Sequence, residues 1–127
     1  MAGIRAETAE DDIRQYLTAY VAEMTFSAED PGTVVDRYHT PDLEWVNDGT
    51  MLDRAKLVAH ARPSRRNVTS CRVEVHEAFG AGDRVAARYT LVATTRKGVE
   101  ITTDVHWFAD LAADGRIRRV HTITRTR

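Results

Sequence analysis

The sequence holds a single cysteine, Cys71. That excludes an internal disulfide framework and any zinc site built from several thiolates. It also lacks an excess of charge of one sign: 18 Lys and Arg stand against 19 Asp and Glu, a formal net charge of −1. Bulk charge therefore implies neither a nucleic-acid nor a membrane surface. Basic residues do gather near the C-terminus (Arg116, Arg118, Arg119, Arg125, Arg127), a bias that suits solvated strand faces better than a phosphate track. No apolar run is long enough to span a bilayer, and the opening M-A-G-I-R-A-E-T-A-E-D-D has no apolar export segment. The expectation is a cytoplasmic protein without membrane or nucleic-acid partners. Repeats, linkers and low-complexity stretches are missing too, so residues 1–127 read as one domain with one core.

What is present is a strong closing hairpin, Val99 to Arg125, turned by Asp114-Gly115. In its first strand Ile101, Thr103, Val105, Trp107, Ala109 and Leu111 share one face. Glu100, Thr102, Asp104, His106, Phe108 and Asp110 share the other. An apolar strand face of this kind needs a cover, and the upstream chain supplies one. From Glu10, Ile13, Tyr16, Leu17, Tyr20, Val21 and Met24 recur at helical spacing, with Thr8 as N-cap and Asp11 as its acidic partner. Pro31-Gly32 breaks that helix. A second runs over Thr33–His39 and is ended by Thr40-Pro41-Asp42. Leu43–Asn47 reads as a strand with an Asp48-Gly49 turn, and Asp53–Arg62 as a third helix stopped by Pro63. From Val68 the period falls to two: Cys71, Val73, Val75, a turn at Gly80–Asp83, then Val85, Ala87, Tyr89, Leu91 and Ala93. Helices early and an antiparallel meander late predict an α+β fold, three N-terminal helices packed on a curved, mostly antiparallel sheet.

Several of these segments resemble the nuclear-transport-factor-2-like superfamily in its SnoaL-like branch. They are Tyr38-His39-Thr40-Pro41-Asp42-Leu43-Glu44-Trp45, then Asp48-Gly49 followed by Arg54 and a short helix, then Val105-His106-Trp107-Phe108, and Asp114-Gly115-Arg116-Ile117. The resemblance covers residues 10 to 124. It implies a cone-shaped α+β barrel, a homodimer, and a pocket for a small hydrophobic molecule. It also implies either cofactor-free, metal-free acid/base chemistry of the isomerase, cyclase or hydrolase kind, or a non-catalytic binding or dimerisation module. Tyr16, Tyr20, Trp45, Tyr89, Val105 and Trp107 are the expected pocket lining, a mostly apolar wall with a few polar handles.

The ketosteroid isomerases of this superfamily set a carboxylate base against a tyrosine and a second acid. Carried over, Tyr20 or Tyr16 matches the tyrosine, Asn47 stands where the base belongs with Asp48 beside it, and the second acid falls near Trp107. The limonene epoxide hydrolases use an Asp-Arg-Asp relay beside tyrosine and asparagine. Asn47 and a tyrosine fit, and the nearest approach to the relay is Thr102-Thr103-Asp104. A third arrangement comes from spacing alone. Asp104 and His106, at i and i+2, share a strand face roughly 6.5–7 Å apart and can serve as a base with its orienter. His76 and His121 share their parity but are spread over other strands without ligand-type spacing. If the apolar face holds the pocket, Asp104 and His106 are solvated or meet a second subunit; a bulge near Trp107-Phe108 would reverse that. The separating feature is whether an ionisable side chain faces the cavity.

Overall fold

The computed structural model describes residues 3–127. A 3-10 turn at Ala6–Thr8 leads into α1 (Ala9–Phe26), α2 (Pro31–Tyr38), β1 (His39–Asn47), β2 (Thr50–Leu52) and α3 (Arg54–Asn67). Four long strands follow: β3 (Val68–Ala81), β4 (Arg84–Thr95), β5 (Glu100–Leu111) and β6 (Ile117–Thr126). They form one curved, open sheet in the order β2-β1-β6-β5-β4-β3, with the three helices packed on it as the α+β cone anticipated from sequence. All neighbours are antiparallel except β1 and β6, because β6 returns beside the strand that follows α2.

The helical stripe of α1 packs as its spacing demands, with Ile13, Tyr16, Leu17 and Tyr20 buried. Its N-terminus differs from expectation. The Thr8 hydroxyl makes no capping bond to the helix backbone; it donates to Asp12 Oδ2 at 2.6 Å, which also accepts from the Arg5 N–H at 3.0 Å. Asp12, not Asp11, anchors the entry.

At all three prolines the element boundaries differ from those the sequence predicts. Pro31 does not break a helix but starts one: at the first turn of α2 its missing N–H has no partner to lose, and Asp30 caps the helix through Thr33 N. Pro41 lies inside β1, where the β1–β6 register breaks between His39 and Glu44, so no ladder hydrogen bond needs its N–H. Pro63 sits within α3, which continues to Asn67. Tertiary contacts hold that last turn: Arg65 donates to the Met24 and Glu23 carbonyls (3.0 and 3.1 Å), closing the C-terminal end of α1.

Register places side chains in rows across the inner face. Asn47, Thr122, Trp107, Ala87 and Ala78 form one row; Thr124, Val105, Tyr89 and Val75 form the next. The β4–β5 ladder runs unbroken from Glu100 to Asp110, and β5–β6 shifts only at Asp110/Leu111. No bulge near Trp107 exchanges the faces. At the narrow end the N-terminal strap closes on the last hairpin, Ile4 N–H donating to Gly115 O at 3.0 Å. A Cβ on Gly115 would lie 2.7 Å from Gly3 Cα, and its φ is +84°, so glycine is required there twice over.

Candidate functional site

The interior is built around a histidine that closes the second helix and opens the first strand. His39 is 0% exposed. Its Nδ1 lies 2.8 Å from the Val35 carbonyl, which can only accept, so Nδ1 carries the proton. Nε2 is therefore an acceptor, and it takes the Tyr16 hydroxyl at 2.8 Å. Burial depresses the His39 pKa to about 4, against the opposing pull of the Val35 bond, so the ring is neutral at neutral pH.

Around this pair the sequence gathers its aromatic rings. Tyr16 and Tyr20, one turn apart on α1, stack at 5.5 Å. Tyr20 lies 4.9 Å from the His39 ring, Tyr38 meets both tyrosines edge-on, and Trp107 reaches Tyr16 at 6.0 Å across the core. Trp45 extends the group past His39, also at 6.0 Å. From Trp45 a short polar thread continues: its indole N–H donates to Thr122 Oγ1 (3.1 Å), whose own hydroxyl donates to Asn47 Oδ1 (2.7 Å).

All four tyrosines of the chain face this interior, and each phenol is held in its neutral, donating form. Burial raises Tyr16 first, then the neighbouring Tyr20, Tyr89 and Tyr38; burial raises Tyr20 and Tyr89. Tyr38 is pushed up to about 12 by burial and by its bond to the Glu23 carboxylate. Tyr16 and Tyr38 thus have acceptors. Tyr20 and Tyr89 have none among the described residues, and the Trp107 indole N–H and the Thr40 hydroxyl are buried without a partner. The buried polar side chains are Thr25, His39, Thr40, Thr90 and Thr122; among the described residues no carboxylate is buried.

The residues expected from sequence fall in two groups. Tyr16, Tyr20, Tyr89, Val105 and Trp107 are buried together, with Trp45 and Asn47 half-buried beside them. Tyr16 also borders a cleft of about 280 Å³ with Ile4, Arg37, Tyr38 and Arg116. Asp48, Asp104 and His106 are not brought to them. Asp48 occupies a left-handed turn (φ +49°), and its carboxylate accepts from the Thr124 hydroxyl and, at 2.8 Å, the Thr124 N–H. Those bonds hold its pKa below the usual carboxylate range.

Asp104 lies on the outer face, bidentate to Arg127 (2.9 and 3.1 Å) and accepting from the Thr90 hydroxyl at 2.9 Å. Arg127 first and Thr90 second bring it down to about 2. Since Thr90 spends its proton on Asp104, the 2.7 Å contact to His76 Nε2 makes that histidine the donor. His106 is exposed between Arg88 and Ile123.

His39 is the residue that sequence reading missed. The sequence pattern puts it at the end of a helix, but it is the first residue of β1. The usable signal was strand parity: counting back in twos from Asn47 through Trp45, Leu43 and Pro41 reaches His39.

Comparison with known proteins gives a consistent picture. A crystal structure of a conserved Planctomyces limnophilus protein superposes with a TM-score of 0.69 at 13% identity, over 93% of this chain and 97% of that one. A nuclear-transport-factor-2-like protein of unknown function from an Exiguobacterium species gives 0.68 at 16%, over 89% and 97%. A Catenulispora acidiphila protein with a ketosteroid isomerase-like fold, crystallised in complex with trimethylamine, gives 0.63 at 14%, over 85% and 83%. At these identities the likeness is one of fold. No curated protein matches the chain. The model of the SnoaL-like domain matches residues 11–120, nearly the whole cone just described, and the chain belongs to the SnoaL-like domain family.

Proposed function

We propose that this domain binds a small, neutral, mostly apolar molecule carrying an acceptor oxygen, such as a ketone or ether, between α1 and the inner face of the sheet. The observation that carries the reading is the donor excess of the interior: the buried, unpartnered Trp107 N–H and Thr40 hydroxyl, the Tyr20 and Tyr89 hydroxyls without a hydrogen-bond acceptor, and no buried carboxylate, all among the described residues. A buried donor without a partner, as the Trp107 N–H is, costs about 1–3 kcal/mol, which a ligand oxygen recovers. Rings from Tyr16, Tyr20, Trp45 and Trp107 give the surrounding apolar surface. That a neighbour of the same fold was crystallised with a small molecule supports the general idea.

An isomerase, cyclase or hydrolase needs a base within reach of such a ligand. Asn47 cannot take a proton, Asp104 and His106 lie on the outer face, and the Asp48 carboxylate, exposed in its turn, is tied up by the Thr124 hydroxyl and N–H. His39 commits its lone pair to Tyr16. Binding without proton transfer is therefore the preferred reading. It keeps the protein a homodimer through the outer sheet face, where Phe79, Phe108 and Ile123 are 63%, 56% and 58% exposed among charged neighbours. Light scattering that gives a monomer at micromolar concentration removes the dimer from the proposal.

The binding test is a pair of probes of one shape, acetylnaphthalene and ethylnaphthalene, titrated by amide NMR shifts. The ketone is expected to bind several-fold tighter, one hydrogen bond being worth about 0.5–1.5 kcal/mol. That advantage is lost in Tyr20→Phe. Equal affinity for the two probes, or shifts confined to the outer face, overturns the reading.

A further inference from the structure

The cone leaves one feature of the molecule unused. Helix α3 carries Arg54, Lys56, Arg62, Arg65 and Arg66 over its length and not one Asp or Glu, in a chain whose formal net charge is −1. Three of these cations have structural work. Arg54 pairs with Asp36 at 2.8 Å, Lys56 donates to the Met51 carbonyl at 3.1 Å, and Arg65 closes the end of α1. Arg62 and Arg66 are exposed and pair with no carboxylate among the described residues. The Arg96 guanidinium, donating to the Arg66 carbonyl, adds a further cation at the same end.

Between the start of α2 and this half of α3 lies a cleft of about 780 Å³. Its apolar floor comes from Pro31, Val58 and Pro63, and its rim from Arg62 and Arg66. Its one acidic residue, Asp30, is occupied in capping α2.

We propose that this cleft is a docking site for an acidic, amphipathic segment of another protein, whose carboxylates meet Arg62 and Arg66 while its apolar side chains seat on Pro31, Val58 and Pro63. Charge complementarity selects the partner, and the combination of arginines with an apolar floor is the composition of a protein interface. A nucleic acid fits less well. The sequence pI is about 6.5, and the cleft offers no aromatic ring on which a base can stack. A membrane surface fits less well again, since α3 exposes no large hydrophobic side chain. The site is independent of what the cone binds.

The test uses the whole chain and three fluorescein-labelled probes followed by anisotropy. The first is a synthetic helical peptide with a leucine stripe and glutamate elsewhere. The second is its analogue with glutamine for every glutamate. The third is an oligodeoxythymidylate of matching charge. The acidic peptide is expected to bind saturably and to weaken as salt shortens the reach of the charges. The glutamine analogue, and the acidic peptide on Arg62→Ala/Arg66→Ala, are expected to bind at least about tenfold more weakly. Arg119→Ala, on the outer sheet face, leaves binding unchanged, and Arg62→Lys/Arg66→Lys retains most of it.

Equal binding of the two peptides overturns the proposal, and that comparison needs no variant to fold. So does full binding to the alanine variant, or no saturable binding at low salt. An oligonucleotide that binds more tightly than the acidic peptide, and is lost with the same arginines, replaces the protein partner with a nucleic acid.

Discussion

Strand β5 has two faces, and they keep opposite chemistry. Inward, Val105, Trp107 and Ala109 are buried against neutral hydrogen-bond donors. Outward, Asp104, His106 and Asp110 alternate with Phe108, and the carboxylates are held by guanidinium groups: Asp104 by Arg127, Asp110 by Arg84 and Arg119. Charge and polarity are thus separated across the thickness of one sheet. Carboxylates and guanidinium groups sit where water and ion pairs stabilise them, and the interior retains neutral hydrogen-bonding groups, phenols and the His39 ring among them. A face of the outward kind makes a surface, whereas the inward kind is what the proposed binding of an uncharged acceptor requires.

The sharpest way to break this contrast is to truncate adjacent residues. Trp107 is 0% exposed and Phe108 56%. Removing the Trp107 side chain opens a large cavity beside Tyr16, and Trp107→Ala is expected to lower unfolding free energy by about 3–5 kcal/mol. Phe108→Ala should stay within about 0.5 kcal/mol in the monomer and act on self-association instead. Urea denaturation at fixed protein concentration measures both. A Phe108→Ala cost equal to that of Trp107→Ala would mean that the outer face is covered within a single chain.

A second difference lies in the pH window of each face. His39 binds its proton near pH 4 in the folded protein and near 6.5 unfolded. Below pH 6.5 the unfolded chain holds the extra proton, so stability falls as pH drops from 6.5 towards 4 and is complete above 6.5. The shift is worth about 3 kcal/mol by proton linkage. Asp104, lowered to about 2 from 3.8, loses its contribution only below pH 3.8. The two windows barely meet. Urea midpoints taken between pH 7 and 4.5 should fall for the native sequence and stay nearly level for His39→Gln. A parallel decline in the variant would assign the loss to other groups.

How far this division was legible in the sequence follows from its physics. Strand alternation is strict, so the faces of β5 and the burial of Val105 and Trp107 could be read directly. The three helices on a mostly antiparallel sheet were equally readable from period and order. Prolines were not, because their effect depends on which hydrogen bond is missing. Pro31 lacks one that a first turn never makes, Pro41 sits at a break in register, and Pro63 is overridden by Arg65 holding the end of α1. Because Pro41 lies inside β1, the strand begins at His39, the partner of Tyr16, which a helix-ending proline would leave in α2. The direction of Asp48 was not legible for a different reason: a left-handed turn residue follows no strand parity, and only the structure shows its carboxylate tied to Thr124.

The smallest expected effect is the most telling for function. Asp104→Asn and His106→Ala alter the outer face alone, and a ligand held by Tyr20, Tyr89 and Trp107 should not register either change. Affinity for acetylnaphthalene is expected to remain within about twofold of the native protein in both variants, less than one hydrogen bond supplies. Tyr20→Phe, which removes one oxygen from the α1 side of the interior, should lower it several-fold without disturbing the ring stack with Tyr16. The order of these three results decides between the faces. If Asp104→Asn weakens binding as much as Tyr20→Phe, the ligand lies against Asp104, Thr90 and His76, and the acid/base pair returns as the centre of the protein's chemistry. If only Tyr20→Phe acts, the outer carboxylates hold the sheet's surface together, and recognition belongs to neutral donors inside the cone.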